Sequence, residues 1–162
     1  MTDQKKIGIF VDVQNIYYTT REAFGRSFDY RKFWQHISQQ GNITAANAYA
    51  IKRNVDDQIK FQSALRHIGF DVILKPLFRR ADGTAKGDWD VGITIDILEA
   101  APELDQVTLL SGDGDFSILL QHIMKKHKIK TQVFGVPKLS SDSLINACTD
   151  FIPIDGVWLQ NP

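Results

Sequence analysis

The chain carries a single cysteine, Cys148, among its 162 residues. That excludes an internal disulfide and a cysteine-rich zinc site, and it suits a reducing compartment. Charge of one sign is also missing, because 19 Lys and Arg balance 19 Asp and Glu. Bulk electrostatics therefore give no pull toward nucleic acid or an anionic membrane, and a polyanion would have to be met by local basic patches. No apolar stretch approaches membrane-spanning length, and the one ahead of Asp12 is too short for the core of a signal peptide. A cytoplasmic protein with no membrane association is the expectation. Familiar phosphate-binding signatures are absent as well. There is no G-x-x-x-x-G-K-[ST], GDGDFS lacks the third glycine of the dinucleotide fingerprint, and Gln14 stands where a D-x-D phosphotransferase needs its second acid.

What is present is enough apolar material for a core: 43% hydrophobic residues, including 10 Phe and 3 Trp. At this length that predicts one domain spanning residues 1–162. Ile7 to Val13 (IGIFVDV) is a β-branched apolar run of the kind buried on both faces of a sheet. Similar runs recur at Ile43 to Ile51, Asp71 to Leu77, Val107 to Leu110 and Ile129 to Phe134, with a weaker one near Phe151 to Ile154. Helical periodicity separates them at Tyr30 to Gln39, Val55 to Ile68, Trp89 to Ala100, Asp115 to Lys126 and Ser140 to Ala147. Strands alternating with helices of this length imply right-handed crossovers and a mainly parallel sheet. The expected fold is α/β, a three-layer α/β/α sandwich. The patternless stretch Phe78 to Asp88 (FRRADGTAKGD) reads as an exposed loop or loose hairpin.

In open α/β sheets the ligand crevice lies beyond the carboxyl ends of the strands, where strand order reverses. Asp12 ends the first strand, and Asp113 and Asp115 in LLSGDGDF follow the fourth. With the common order 3-2-1-4-5, those two strands are neighbours at the reversal. Asp90 and Asp96 lie on the helix that feeds the fourth strand, which makes up to five carboxylates around one crevice. Two carboxylates about 4 Å apart repel by roughly 4 kcal/mol at the effective dielectric of a protein cleft. A cluster of them demands a divalent cation or raised pKa values. No His or Cys stands at these positions, and oxygen-only donors suit Mg²⁺ or Mn²⁺ rather than zinc. Plainer roles fit single members of the set. Asp12 can cap a helix bearing Tyr17 and Tyr18, Asp115 can cap the helix after it, and acids at a helix start complement its dipole. Lys75, Arg79, Arg80 and Lys86 border the patternless loop, where they could line a path for a phosphate backbone or simply be solvated. Tyr17, Tyr18 and Trp89 suit either base stacking or core packing.

FVDVQN (Phe10 to Asn15), KGDWDVGITIDIL (Lys86 to Leu98) and LLSGDGDF (Leu109 to Phe116), in that order, resemble the NYN domain family, in particular its LabA-like (DUF88) branch. The resemblance extends from about Ile7 to Ile154. It implies a PIN-like fold and a metal-dependent ribonuclease, with RNA as substrate and Mg²⁺ or Mn²⁺ bound by Asp12, Asp113, Asp115 and one or both of Asp90 and Asp96. Asn15 and Ser111 then adjoin the acids as substrate-orienting or hydrogen-bonding groups. Lys86 is positioned to meet a phosphate, with Arg79 and Arg80 holding the backbone. The branch also includes members linked to regulation, so the alternative is a weak or inactive module that binds RNA or protein, a further copy of the chain included.

Overall fold

The computed structural model describes residues 4–52, 55–76, 78–79, 85–86 and 88–162, with 78–79 and 85–86 described by their backbone alone. Strands β1 (Lys6–Asp12), β2 (Asn42–Lys52) and β3 (Asp71–Pro76) alternate with helices α1 (Val13–Phe24), α2 (Tyr30–Gln40) and α3 (Asp56–Ile68). A two-strand ribbon, β4 (Phe78–Arg79) and β5 (Ala85–Lys86), follows. The second half contains α4 (Asp90–Ala100), β6 (Gln106–Leu110), α5 (Ser117–His127), β7 (Lys130–Gly135), α6 (Asp142–Ala147) and β8 (Asp150–Pro153). The main sheet runs β3-β2-β1-β6-β7-β8, and all its pairings are parallel. Counting its own strands alone, this is the expected order with the weak sixth strand added at the edge. The α/β fold with a mainly parallel sheet expected from the alternation is the one observed.

Side-chain alternation divides the core between the two faces of the sheet. Ile7, Ile9 and Val11 of β1 pack with Phe33 and Ile37 of α2 and Leu65 of α3. Phe10 points the other way, with Val107 and Leu109 of β6, toward Ile93 and Ile97 of α4 and Leu120 and Ile123 of α5. Asp12 shares the parity of Phe10, and Ser111 that of Leu109. Both therefore face the α4–α5 layer. Parallel register sets Val11 opposite Leu110, so Asp12 and Ser111 leave the sheet side by side.

The elements end where the local chemistry says they should. Asp12 caps α1, its Oδ1 accepting from the Asn15 amide at 3.5 Å, and no residue intervenes between strand and helix. The helix expected from Asp115 instead begins at Ser117, after a single 3-10 turn, Gly114–Phe116. Asp113 caps that turn by accepting from the Asp115 amide at 2.9 Å, so the capping role expected of Asp115 falls to its neighbour two residues earlier.

Candidate metal centre

Three elements deliver one acid each to the carboxyl edge of the sheet. Asp12 arrives on β1, Asp113 on the turn after β6, and Asp90 as the first residue of α4. One oxygen of each lies within 4.8 Å of the others. Asp12 is only 7% exposed, while Asp90 and Asp113 are half-buried.

Neighbouring polar groups hold these carboxylates in place. Ser111, fully buried, donates its hydroxyl to Asp12 Oδ2 at 3.0 Å and accepts the Asp113 amide at 3.1 Å. One hydroxyl thus links two of the three acids. Asn15 Oδ1 accepts the Gly112 amide at 2.9 Å, tying the first turn of α1 to the loop after β6. That loop needs its glycines for a packing reason. A Cβ at Gly112 would stand 2.7 Å from Ser140 Oγ and 2.9 Å from the Leu139 carbonyl, and one at Gly114 would stand 2.5 Å from Ser141 Oγ. The 139–141 backbone closes over the loop, with the Ser141 amide donating to the Gly112 carbonyl at 2.9 Å.

Electrostatics follow from this geometry. Full ionisation at such separations costs roughly 3 kcal/mol for each pair at an effective dielectric of about 20. Two of the carboxyls, Asp12 and Asp90, respond with a raised proton affinity. Asp12 is pushed up to about 6, first by its burial and then by the Asp113 and Asp88 charges, against the lowering effect of the Ser111 and Asn15 hydrogen bonds. Asp90 is also raised, by desolvation and by Asp113, with which it is close enough to share a proton; Asp12 and Asp88 add to the effect. Three oxygen donors from separate elements, two of them reluctant to ionise alone, fit a hard divalent cation such as Mg²⁺ or Mn²⁺. The cluster is able to chelate one.

The remaining sequence candidates fall elsewhere. Asp96 lies further along α4, where its Oδ2 accepts the Tyr49 hydroxyl at 2.7 Å, and Tyr49 in turn accepts from Asn47 Nδ2 at 3.1 Å. It is outside the group of three. Asp115 is exposed, one step past Asp113, and is likewise outside that group. Trp89 packs: its indole N–H donates to the Ala50 carbonyl at 2.9 Å, its ring lies against Tyr49, and Lys75 Nζ sits 4.5 Å from the ring centroid. Gly92 makes room for that ring, since a Cβ there would meet Trp89 Cε3 at 2.6 Å. Tyr17 and Tyr18 are exposed on α1. Arg80 lies outside the described residues, as do the side chains of Arg79 and Lys86. Sequence reasoning missed Tyr49, although alternation along β2 places it on the face that receives Asp96.

With this geometry in view, the family model described as "NYN domain" matches residues 6–155. The chain belongs to the NYN domain family. A curated relative, "Low amplitude and bright protein LabA" of Synechococcus elongatus, is 25% identical over 160 residues, covering 94% of this chain and 85% of that protein. A crystal structure of a protein of unknown function from Vibrio parahaemolyticus superposes with a TM-score of 0.94 at 49% identity, over 99% of each chain. The three NYN motifs are the segments that build the acid cluster: β1 into α1, the start of α4, and the loop after β6. NYN and PIN-like folds are associated with nuclease activity. Among the described residues, no helix is long and apolar enough to cross a membrane.

Proposed function

We propose that the protein is a metal-dependent ribonuclease that cleaves within single-stranded RNA. The observation that carries this reading is the convergence of Asp12, Asp90 and Asp113 from three separate segments, with Asp12 nearly buried at the point where strand order reverses. We assign those three as ligands of Mg²⁺ or Mn²⁺, Asp115 as an acid of the outer rim, and Asp96 to holding Tyr49. A divalent cation supplies activation of water and neutralisation of the charge that builds on a phosphodiester. The chain's own residues set up the rest. Ser111 fixes Asp12 and the Asp113 backbone relative to one another, and Asn15 fixes α1 to the loop after β6. The amide end of α1 adds a favourable field for a phosphate oxygen. Water entering in line opposite the 3′ oxygen would release that oxygen and leave a 5′-phosphate end. Arg79, Arg80 and Lys86 would contact the RNA backbone without reading sequence. Cleavage of single-stranded RNA in Mn²⁺ tests the proposal: activity that survives both Asp12→Asn and Asp113→Asn would sink it.

The zero net charge favours one second reading, a regulatory module that binds RNA or a protein without cleaving it. Undiminished RNA binding in chelator, with no cleavage at any Mn²⁺ concentration, would select it.

A further inference from the structure

A cavity bounded by α1, the end of β2 and α3 has no part in the chemistry described so far. Its volume is about 360 Å³. That falls in the range of about 300–1,000 Å³ typical of small-molecule sites. Val13 and Gln14, directly after Asp12, form one wall, and Ala50 and Ile51 at the end of β2 another, so it opens at the same edge of the sheet as the acids. Tyr30 is its most telling residue. Edge-on contacts with Phe28, Phe61 and Phe70 fix the ring, which is 7% exposed. Its hydroxyl makes no hydrogen bond to any described residue, yet among those residues no fully buried side-chain polar atom lacks a partner. The hydroxyl is therefore not fully enclosed, and since Tyr30 lines the cavity it offers a donor and acceptor there on an otherwise apolar wall. Gln14 and Gln58 bring amide groups to the same space. At the mouth Tyr17 presents an exposed ring, with the Arg21 guanidinium carbon 5.2 Å from its centroid.

We propose that this cavity is a nucleobase subsite, taking a base of the single-stranded RNA whose phosphate lies at the acids; the inference rests on the ribonuclease reading for its ligand's origin. A planar heterocycle with donors and acceptors along its edge matches apolar walls carrying two amides and one hydroxyl. The charged groups of the lining, Arg21 and Asp57, both stand at exposed positions, where Arg21 attracts and Asp57 repels a phosphate, so the apolar interior is left to the base. Tyr17 supplies the stacking face, a contact that tolerates any base.

The test is nuclear magnetic resonance titration of the full chain, in chelator, with adenosine, uridine and short oligouridylate. The expected result is shifts of the Val13, Gln14, Ile51 and Gln58 amides with all three ligands, weakened about tenfold by Tyr17→Ala and several-fold by Tyr30→Phe. Asp113→Asn should leave nucleoside binding unchanged while Mn²⁺ binding is lost, so failure of the metal reading and failure of the subsite are separable. Absence of shifts at the solubility limit of adenosine would overturn the proposal. Equal affinities in wild type, Tyr17→Ala and Tyr30→Phe would do the same, and response to nucleosides but not to oligouridylate would refute RNA as the source of the base.

Discussion

The proton affinity of Asp12 makes a quantitative prediction about stability that needs no activity assay. Its folded pKa is about 6, against an ordinary value of 3.8. A raised folded value means that the group favours folding fully below pH 3.8, and that this contribution is lost as pH climbs through about 6. The difference, a little over two units, corresponds to about 3 kcal/mol. Because Asp12 is only 7% exposed, solvent screening takes little from that figure. Other carboxylates titrate over the same range, so the useful quantity is a difference. Asp12→Asn replaces the titrating group by one that does not titrate. Rearranged hydrogen bonds with Ser111 and Asn15 are a fixed cost, but its stability relative to wild type should improve by roughly 2 to 3 kcal/mol between pH 4 and pH 8 without metal. For a chain of this size that is a relative gain of roughly 5 to 10 °C in melting temperature. Adding Mn²⁺ at pH 8 should reverse the ranking, since only the wild type retains all three ligands. Thermal melts of both proteins in chelator and in Mn²⁺, across that pH range, measure every term. A melting difference that stays flat with pH, or equal responses of both proteins to Mn²⁺, would refute the electrostatic account of the site.

Further predictions separate the roles of individual residues. Asp90→Asn should cost Mn²⁺ affinity more than about a hundredfold, whereas Asp96→Asn should leave it nearly unchanged, as titration calorimetry would read. Ser111→Ala should lower metal affinity or RNA cleavage by about 10- to 100-fold through loss of carboxylate positioning, with a smaller effect on folding. Tyr49→Phe should cost about 1–3 kcal/mol in denaturant unfolding, because Asp96 and Asn47 lose their shared partner, and should spare metal binding. Gly112→Ala should destabilise by about 1–3 kcal/mol, since its new Cβ meets the Leu139 carbonyl, and should weaken metal binding through the displaced Asp113.

The strands were legible because each is a short β-branched run, and helices long enough to cross over between them implied a parallel sheet, whose order matches the common one assumed for it. Asp12 and Asp113 were legible with them: each closes or follows a strand that the common order sets at the reversal. The choice between Asp90 and Asp96 was not, and α4 shows why. Val91, Ile93, Ile95, Ile97 and Leu98 spread apolar side chains around the helix, so no single stripe marks the face that meets the sheet. Only packing reveals that Ile93 and Ile97 are buried while Val91 and Ile95 are exposed. The beginning of α5 was misplaced because a capping aspartate looks the same whether it starts an α-helix or a 3-10 turn. The hydroxyl of Tyr30 had no sequence signal, because an aromatic at the start of a helix reads as core.

The three carboxylates come from elements far apart along the chain, and they meet only when β1 lies beside β6 and α4 has docked across both. A partly organised chain, lacking either step, has nowhere to hold an ion with three oxygens. Metal occupancy should therefore leave the refolding rate nearly untouched and act almost wholly on escape from the finished structure, lengthening the native lifetime.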